Sequence, residues 1–406
     1  MQYLTILGST GSIGQSTISI IQQHSDKFFV YALVANNNVT VMVQQCLMIS
    51  PKYVCMVCPD AAALLKKKLI ALRKCNIQVL SGISSACDLA ALDEIDTVMS
   101  AIVGIAGLQP TFSALRAGKK ILLANKETLV VGGKLFIQEA NKYNASIIPV
   151  DSEHNAIFQN LPTKYQKKIG QLPLSQCGIS CLVLTASGGV FLKTPREQLS
   201  VVTPEQACIH PNWSMGRKVS VDSATMMNKG LEYIEACYLF NANINEIEIL
   251  LHPQSIVHAM IRYYDGSVLM HLSPPNMKIP IAYALGYPNR IKLKNYDIPM
   301  TRFNIDNIYY LNQLHFDQID NKDYPCLKLA IDANNSGQSA IIILNAANEV
   351  AVEAFLCGMI AFTQISEIIQ HMLDTLVLIE PNNLEDILYI DQKTRELAIR
   401  YIKHDL

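Results

Sequence analysis

Tyr3-Leu4-Thr5-Ile6-Leu7-Gly8-Ser9-Thr10-Gly11-Ser12-Ile13-Gly14 is a short apolar run that ends in three glycines spaced three apart. Behind it, residues 16–23 keep apolar positions at Ile18, Ile20 and Ile21, which reads as a helix. Strand, glycine turn and helix in that order open a dinucleotide-binding fold, because glycine lets a pyrophosphate approach the backbone and the helix N-terminus. The spacing is GxxGxxG, a variant of the usual GxGxxG, and a plain structural turn is the alternative. A second strand over 29–35 ends at Asn36-Asn37-Asn38. An NAD site usually has Asp or Glu there, and an NADP site Arg or Lys. The missing acid removes the repulsion against NADP, while the missing base leaves no charge to select it.

Strand-like runs follow at 53–57, 97–103, 120–123 and 145–150, interleaved with helical stretches such as 61–72 and 108–117. This alternation predicts an α/β fold with a parallel sheet covered on both faces. Ligands in such sheets sit at the carboxyl ends of strands. Ser100-Ala101-Ile102-Val103-Gly104 and Ala124-Asn125-Lys126-Glu127 fall there, and so does Val150-Asp151-Ser152-Glu153-His154-Asn155. On extended backbone Asp151 and Glu153 project to one side. Two carboxylates beside a hydroxyl are what a hard cation such as Mg²⁺ or Mn²⁺ selects. The plain alternative is that Asp151 or Ser152 caps a helix over 153–161.

Further on, a strand over 181–185 runs into Ala186-Ser187-Gly188-Gly189, either an anion-binding turn or a tight loop. His210-Pro211-Asn212-Trp213-Ser214-Met215-Gly216 carries the one Trp without a period to bury it, so a loop is expected, closing over ligand or pinned in place. If Ser223 starts a helix, Asn228 and Glu232 share a face with Lys229 close by. Donors of that kind suit a phosphomonoester, and the carboxylate suits a third metal ligand. His252 and His258 stand at a strand entrance, where buried, hydrogen-bonded histidine is expected. From Tyr324 onward the pattern is helical, at 327–333, 340–356, 365–375 and 392–402, and a small bundle is expected.

The chain has 406 residues, half of them hydrophobic and 17% charged, which calls for two or three domains with substantial cores. A net charge near −1 and no long basic run argue against nucleic acid as a partner. The 11 cysteines form no metal-spaced or disulfide-framework pattern, so free thiols in a reducing compartment are expected. The sequence starts Met1-Gln2-Tyr3 and enters a strand at once, which is expected to leave no room for a leader, and no apolar run approaches about 18 uncharged residues, so no membrane span is expected. A cytoplasmic protein is the resulting expectation.

Five blocks in order, at 8–14, 123–127, 149–158, 210–216 and 223–232, resemble the 1-deoxy-D-xylulose 5-phosphate reductoisomerase family, and the likeness runs the full length. The last three blocks are long and highly specific. The resemblance implies an N-terminal Rossmann-like NADPH domain (1–150), a central α/β catalytic domain (151–288) that mediates homodimerisation, a linker (289–311) and a C-terminal α-helical domain (312–406). It implies Asp151, Glu153 and Glu232 as ligands of Mg²⁺ or Mn²⁺. It places Lys126, Ser152, Glu153, Ser187, His210, Trp213, Ser223, Asn228, Lys229 and Glu232 around a sugar phosphate, with Lys126, Asp151, Glu153, Glu232 and His210 catalytic. Thr10, Gly11, Ser12, Ile13, Asn36, Asn37, Asn38, Asn125, Glu127 and Gly216 would contact NADPH.

The implied reaction is metal-assisted rearrangement of 1-deoxy-D-xylulose 5-phosphate, then reduction to 2-C-methyl-D-erythritol 4-phosphate. Departures from the family pattern are Asn36-Asn37, Val190 where Pro is usual, and Ser273-Pro274-Pro275-Asn276-Met277 in place of Gly-x-Pro-Asp-Met. Two other classes compete: a semialdehyde- or homoserine-type dehydrogenase, which needs no metal chelate, and a dinucleotide-sensing protein on a decayed scaffold, which should have lost several site carboxylates.

Overall fold

The computed structural model describes residues 1–209, 213, 215–294, 313–320, 323–377 and 379–404. The chain groups into two units. The first holds residues 1–128, 136–158 and 277–294; the second holds 129–135, 159–276 and the described residues from 313 onward.

The first unit is built on seven parallel strands: β1 (Gln2–Leu7), β2 (Phe28–Ala35), β3 (Tyr53–Met56), β4 (Gln78–Ser81), β5 (Thr97–Ser100), β6 (Lys120–Leu123) and β7 (Ser146–Pro149). Their order is β4-β3-β2-β1-β5-β6-β7, so the winding reverses between β1 and β5. Leu4, Ile6, Leu33, Val98, Ile121 and Leu122 are buried, as the continuous apolar runs of a doubly covered parallel sheet require. Helices α1 (Ser12–Gln23), α2 (Val39–Ile49), α3 (Pro59–Ala71), α4 (Gly82–Ala91), α5 (Leu108–Arg116), α6 (Lys126–Lys142) and α7 (Ser152–Asn160) connect or follow the strands. β4 escapes the sequence pattern because only Val79 and Leu80 mark it, and β5 ends at Ser100 instead of running to Val103. The helix Lys278–Gly286 returns late in the chain to pack on α1, and the His24 ring nitrogen meets the Lys292 carbonyl at 2.8 Å.

The second unit holds a mixed sheet of β8 (Ile179–Ala186), β9 (Ile247–Leu251), β10 (Val257–Tyr263), β11 (Val268–Leu272) and β12 (Asp317–Gln318), ordered β11-β10-β8-β9-β12. Four longer helices follow, Pro325–Ser336, Gln338–Leu356, Gln364–Thr375 and Leu384–His404, so the α/β class with a C-terminal helical bundle is the observed one. Among the described residues Gln338–Leu356 alone is long and apolar enough to cross a membrane, by length and composition. Here it is the core helix of the bundle, mostly buried against Gln364–Thr375 and Leu384–His404.

Helix α6 breaks at Gly133 (φ 47°, ψ −130°), a backbone state that glycine reaches without strain. Gln338 fills the break: its Nε2 donates to the carbonyls of Val130 and Val131 at 2.9 and 2.8 Å, and its Oε1 accepts from the Tyr238 hydroxyl at 2.8 Å.

Candidate functional site

The three glycines of the β1–α1 turn do different work. A Cβ on Gly8, which sits at φ +80°, would lie 2.3 Å from the Ala101 carbonyl oxygen at the end of β5. A Cβ on Gly14 would lie 2.4 Å from the Gly8 oxygen, so this position sets the helix-to-strand approach. Gly11 is exposed, and a Cβ there meets only the Gly8 oxygen at an ordinary 3.4 Å. Packing thus demands Gly8 and Gly14, while Gly11 keeps space open at the helix N-terminus. Among the described residues no side chain caps α1. Thr10, Ser12 and Ile13 stand around this opening at the point where the sheet order reverses, the position at which doubly wound folds take ligand.

Asn36, Asn37 and Asn38 are exposed at the carboxyl end of β2. Asn38 has a structural task, since its side chain accepts the Val41 amide at 3.2 Å and caps α2. Asn125 is buried after β6. Its Nδ2 donates to the Gly104 carbonyl at 3.0 Å, and its Oδ1 has no hydrogen-bond partner among the described residues.

Lys126 opens α6 and its Nζ lies 2.6 Å from Asp151 Oδ2, joining the ends of adjacent strands β6 and β7. His154 is fully buried and places Nδ1 3.4 Å from Asp151 Oδ1. Burial pushes the Asp151 carboxyl up, but Lys126 and His154 outweigh it and hold the group well below the usual carboxylate range. The extended backbone expected over 151–153 is not there. Glu153 N approaches Asp151 Oδ1 at 3.4 Å, the Asn155 amide donates to the Asp151 carbonyl at 2.8 Å, and α7 begins at Ser152. The cap and the carboxylate pair therefore coexist, because carboxylate oxygens of Asp151 and Glu153 still come within 4.8 Å of each other. The Ser152 hydroxyl donates to Glu153 Oε2. The sequence motif alone assigns His154 no role; its i+3 spacing from Asp151 on a helix is the signal that links the two.

In the second unit, Ser187 ends β8 in a turn whose Gly188 and Gly189 have φ +83° and +72°. A Cβ on Gly189 would lie 2.6 Å from the Ser223 carbonyl oxygen, so this turn abuts the backbone that carries Ser223. Ser223 does not start the following helix. It belongs to Arg217–Ala224, and the next helix, Met227–Leu239, begins after Met226 adopts φ +61°. The reason is local: the Thr225 hydroxyl donates to the Asp222 carbonyl and accepts the Met227 amide, closing one helix and opening the next. The expected shared face survives the break, because it lies wholly within Met227–Leu239. Asn228 Nδ2 donates to Glu232 Oε1 at 2.5 Å, and Lys229 pairs with Glu232 Oε2, both partners of that pair being buried.

Trp213 is half-buried with its ring edge-on to His258 at 5.9 Å. His258 Nε2 lies 3.0 Å from the Ser273 carbonyl, and His252 Nδ1 lies 2.9 Å from that of His315. Both are buried, hydrogen-bonded histidines, as expected. Gly216 is the exposed N-cap of Arg217–Ala224, and no packing requires it to lack a side chain. His210 lies outside the described residues.

Three family profiles match the chain: 1-deoxy-D-xylulose 5-phosphate reductoisomerase over residues 4–133, the C-terminal domain described under the same full name over 147–240, and the DXP reductoisomerase C-terminal domain over 272–397. The 1-deoxy-D-xylulose 5-phosphate reductoisomerase of Blochmanniella pennsylvanica (strain BPEN) is 69% identical over 399 residues, covering 98% of this chain and 99% of the relative. That of Photorhabdus laumondii is 52% identical, covering 99% of each. A crystal structure of DOX-P reductoisomerase in complex with NADPH, fosmidomycin and magnesium superposes with a TM-score of 0.91 at 43% identity, over 99% of this chain and 98% of that one. The Zymomonas mobilis enzyme in complex with NADPH gives 0.87 at 36% identity, over 99% of both.

Proposed function

The chain belongs to the 1-deoxy-D-xylulose 5-phosphate reductoisomerase family, and from that membership we propose that it rearranges 1-deoxy-D-xylulose 5-phosphate and reduces the product with NADPH. The product is 2-C-methyl-D-erythritol 4-phosphate, a committed step of non-mevalonate isoprenoid precursor synthesis. The observation that carries this reading is that one sheet edge presents both the open Gly11 turn and the Lys126–Asp151 pair. Neighbouring strands are about 4.8 Å apart, so three steps from β1 to β7 set these features roughly 14 Å apart, a span suited to a dinucleotide ending beside acid–base chemistry.

Thr10, Gly11, Ser12 and Ile13 would take the pyrophosphate on backbone N–H groups. Asn36 and Asn37 would meet the adenosine end through amides, with Asn38 holding α2; Asn125, Glu127 and Gly216 would complete the cofactor contacts. Amides donate to a 2′-phosphate without adding charge, so NADPH preference is expected to be milder than a basic residue would give.

Asp151, Glu153 and Glu232 would hold Mg²⁺ or Mn²⁺. The donors fit: all are carboxylates, and Asp151 is kept anionic by its neighbours. Such an ion supplies Lewis acidity and a template for adjacent carbonyl and hydroxyl oxygens. Ser187, Ser223, Asn228 and Lys229 would bind the phosphate and supply remote binding energy. Lys126, Ser152, Glu153, His210 and Glu232 would orient the carbon chain through cleavage and rejoining to a branched aldehyde, and Trp213 would exclude water. NADPH supplies the hydride for the last step.

We also propose a homodimer joined through the second unit's sheet. Edge strand β11 leaves Val268, Leu269 and Met270 between 43% and 46% exposed, an apolar edge that solitary sheets avoid. All 11 cysteines are free, which supports a reducing compartment such as the cytoplasm. The division into domains at 1–150, 151–288 and 312–406 is proposed as the functional one within the two units described.

The test is loss of reduced-nicotinamide absorbance with 1-deoxy-D-xylulose 5-phosphate, with and without Mn²⁺, using NADPH and then NADH. Metal-dependent oxidation of NADPH is expected. Oxidation that ignores metal would favour a simple dehydrogenase, and none with either cofactor would favour a non-catalytic scaffold.

A further inference from the structure

We propose that Asn348 is a positioning residue for the turn that carries Ser223 and Asn228, acting through Asp222. The proposal rests on the reading of that turn as phosphate-binding. Asn348 lies in the apolar core helix Gln338–Leu356, fully buried among Leu344, Ala347, Ala351 and Val352 of the same helix, themselves buried. A buried amide is tolerated only where a partner meets it. The partner is Asp222: Asn348 Nδ2 lies 2.9 Å from Asp222 Oδ1. A carboxylate only accepts, so the orientation of the amide is fixed by chemistry. The opposite end of the same amide, Oδ1, is buried with no hydrogen-bond partner among the described residues. An asparagine that leaves one acceptor unsatisfied in a core is explained by its donor.

Asp222 is itself buried, and its other oxygen takes Lys218 Nζ at 2.8 Å. It stands one residue before Ser223, in the last turn of Arg217–Ala224. Its carbonyl receives the Thr225 hydroxyl at 3.2 Å, which in turn accepts the Met227 amide. Between them Met226 holds φ +61°, a state that a methionine keeps only under constraint. On the far side the Gly189 backbone presses against Ser223 and Ala224, closely enough to forbid a Cβ. Ser223 is thus pinned from one side by the Ser187 turn and from the other by Asp222. Through Asn348 the helical bundle holds Asp222 by a direct hydrogen bond. Donors that converge on one phosphate must hold their spacing to within about 0.5 Å, so the anchor of Asp222 governs substrate affinity without touching substrate.

The experiment compares wild type, Asn348→Ala and Asn228→Ala by KM and kcat for 1-deoxy-D-xylulose 5-phosphate, by the NADPH dissociation constant and by thermal unfolding. Asn348→Ala is expected to raise KM about tenfold, to leave kcat within about twofold and to leave NADPH affinity unchanged. The exchange Asp222→Asn with Asn348→Asp keeps a donor facing an acceptor and is expected to reverse most of the rise in KM caused by either single change. An unchanged KM in Asn348→Ala overturns the proposal. So does a joint fall of kcat, NADPH affinity and Tm, which would mark general loosening, and so does an exchange no better than its parts. If Asn228→Ala leaves KM unaltered, the phosphate reading of the turn fails instead. Asn348→Ser, with its shorter donor, replaces Asn348→Ala if the latter does not fold, and the same criteria apply.

Discussion

Gly8, Gly11 and Gly14 look alike in the sequence and part company under substitution. Gly8→Ala places a Cβ against backbone at a positive φ, so it should cost several kcal/mol, roughly 2–4, and lower the thermal midpoint. Gly11→Ala has room and should leave the midpoint within about 1 °C, while NADPH affinity falls about tenfold in a fluorescence titration. Equal effects of the two changes on both readouts would contradict the assignment. Glu232→Gln should lower turnover at least a hundredfold, about 3 kcal/mol of barrier, with NADPH binding intact; wild-type turnover would remove Glu232 from the metal set. His258 adds a pH signature. Burial, helped by the charges of His271, Lys229 and His252 and opposed by the bond to Ser273, pushes its pKa down to about 4. The folded ring stays neutral while the unfolded ring protonates near 6.5, so stability is full above pH 6.5 and falls by about 3 kcal/mol as pH drops toward 4. Trp213, the one tryptophan, stacks edge-on to this ring, so its emission should stay flat from pH 8 to 5 and quench only near 4. A transition near 6.5 would contradict the burial argument. Residue types and spacings made the glycine turn and the carboxylates legible from sequence. The state of Asp151 was not, because Lys126 approaches it only through the pairing of β6 with β7.

Between elements, the break in α6 depends on one side chain that lies 208 residues from the carbonyl of Val130 it caps. Gln338→Ala would leave the Val130 and Val131 carbonyls and the Tyr238 hydroxyl without that partner, at a cost of about 1–3 kcal/mol by denaturant unfolding. Gly133→Ala should cost more, since the new Cβ meets Gln338 Oε1 in addition to backbone strain at φ 47°. Removing the Gln338 side chain clears that collision, so the double variant should fall short of the sum of the singles by about 1 kcal/mol or more. Strict additivity would mean that the wedge is not what holds the break. None of this is visible as a local pattern, because two glycines inside a long helical stretch carry no instruction about what will fill the gap. The helix restart at Met227 was hidden for a similar reason. Methionine has no preference for the left-handed region, and the stop is imposed by the Thr225 hydroxyl and by what packs around it. Helices of the bundle were legible because their apolar period is strong; β4 was not, with two apolar residues to mark it.

At the scale of the whole molecule, the proposed dimer is testable at the exposed edge: Leu269→Lys or Met270→Lys should shift light-scattering mass from dimer to monomer, and a wild type already monomeric would refute the interface. The alternation of strands and helices announced the parallel sheet, whereas the return of residues 277–294 to the first unit had no signal short enough to read. That return has a consequence in time. The last strand of the first sheet ends at Pro149, yet Pro280, Ile281, Ala284 and Leu285, on the helix that packs against α1, emerge about 130 residues later. At roughly 5–20 residues per second, a ribosome needs on the order of 6–26 s to cross that gap. Throughout the interval the nascent sheet lacks the helix that packs on α1, which is when a holdase chaperone has its opening.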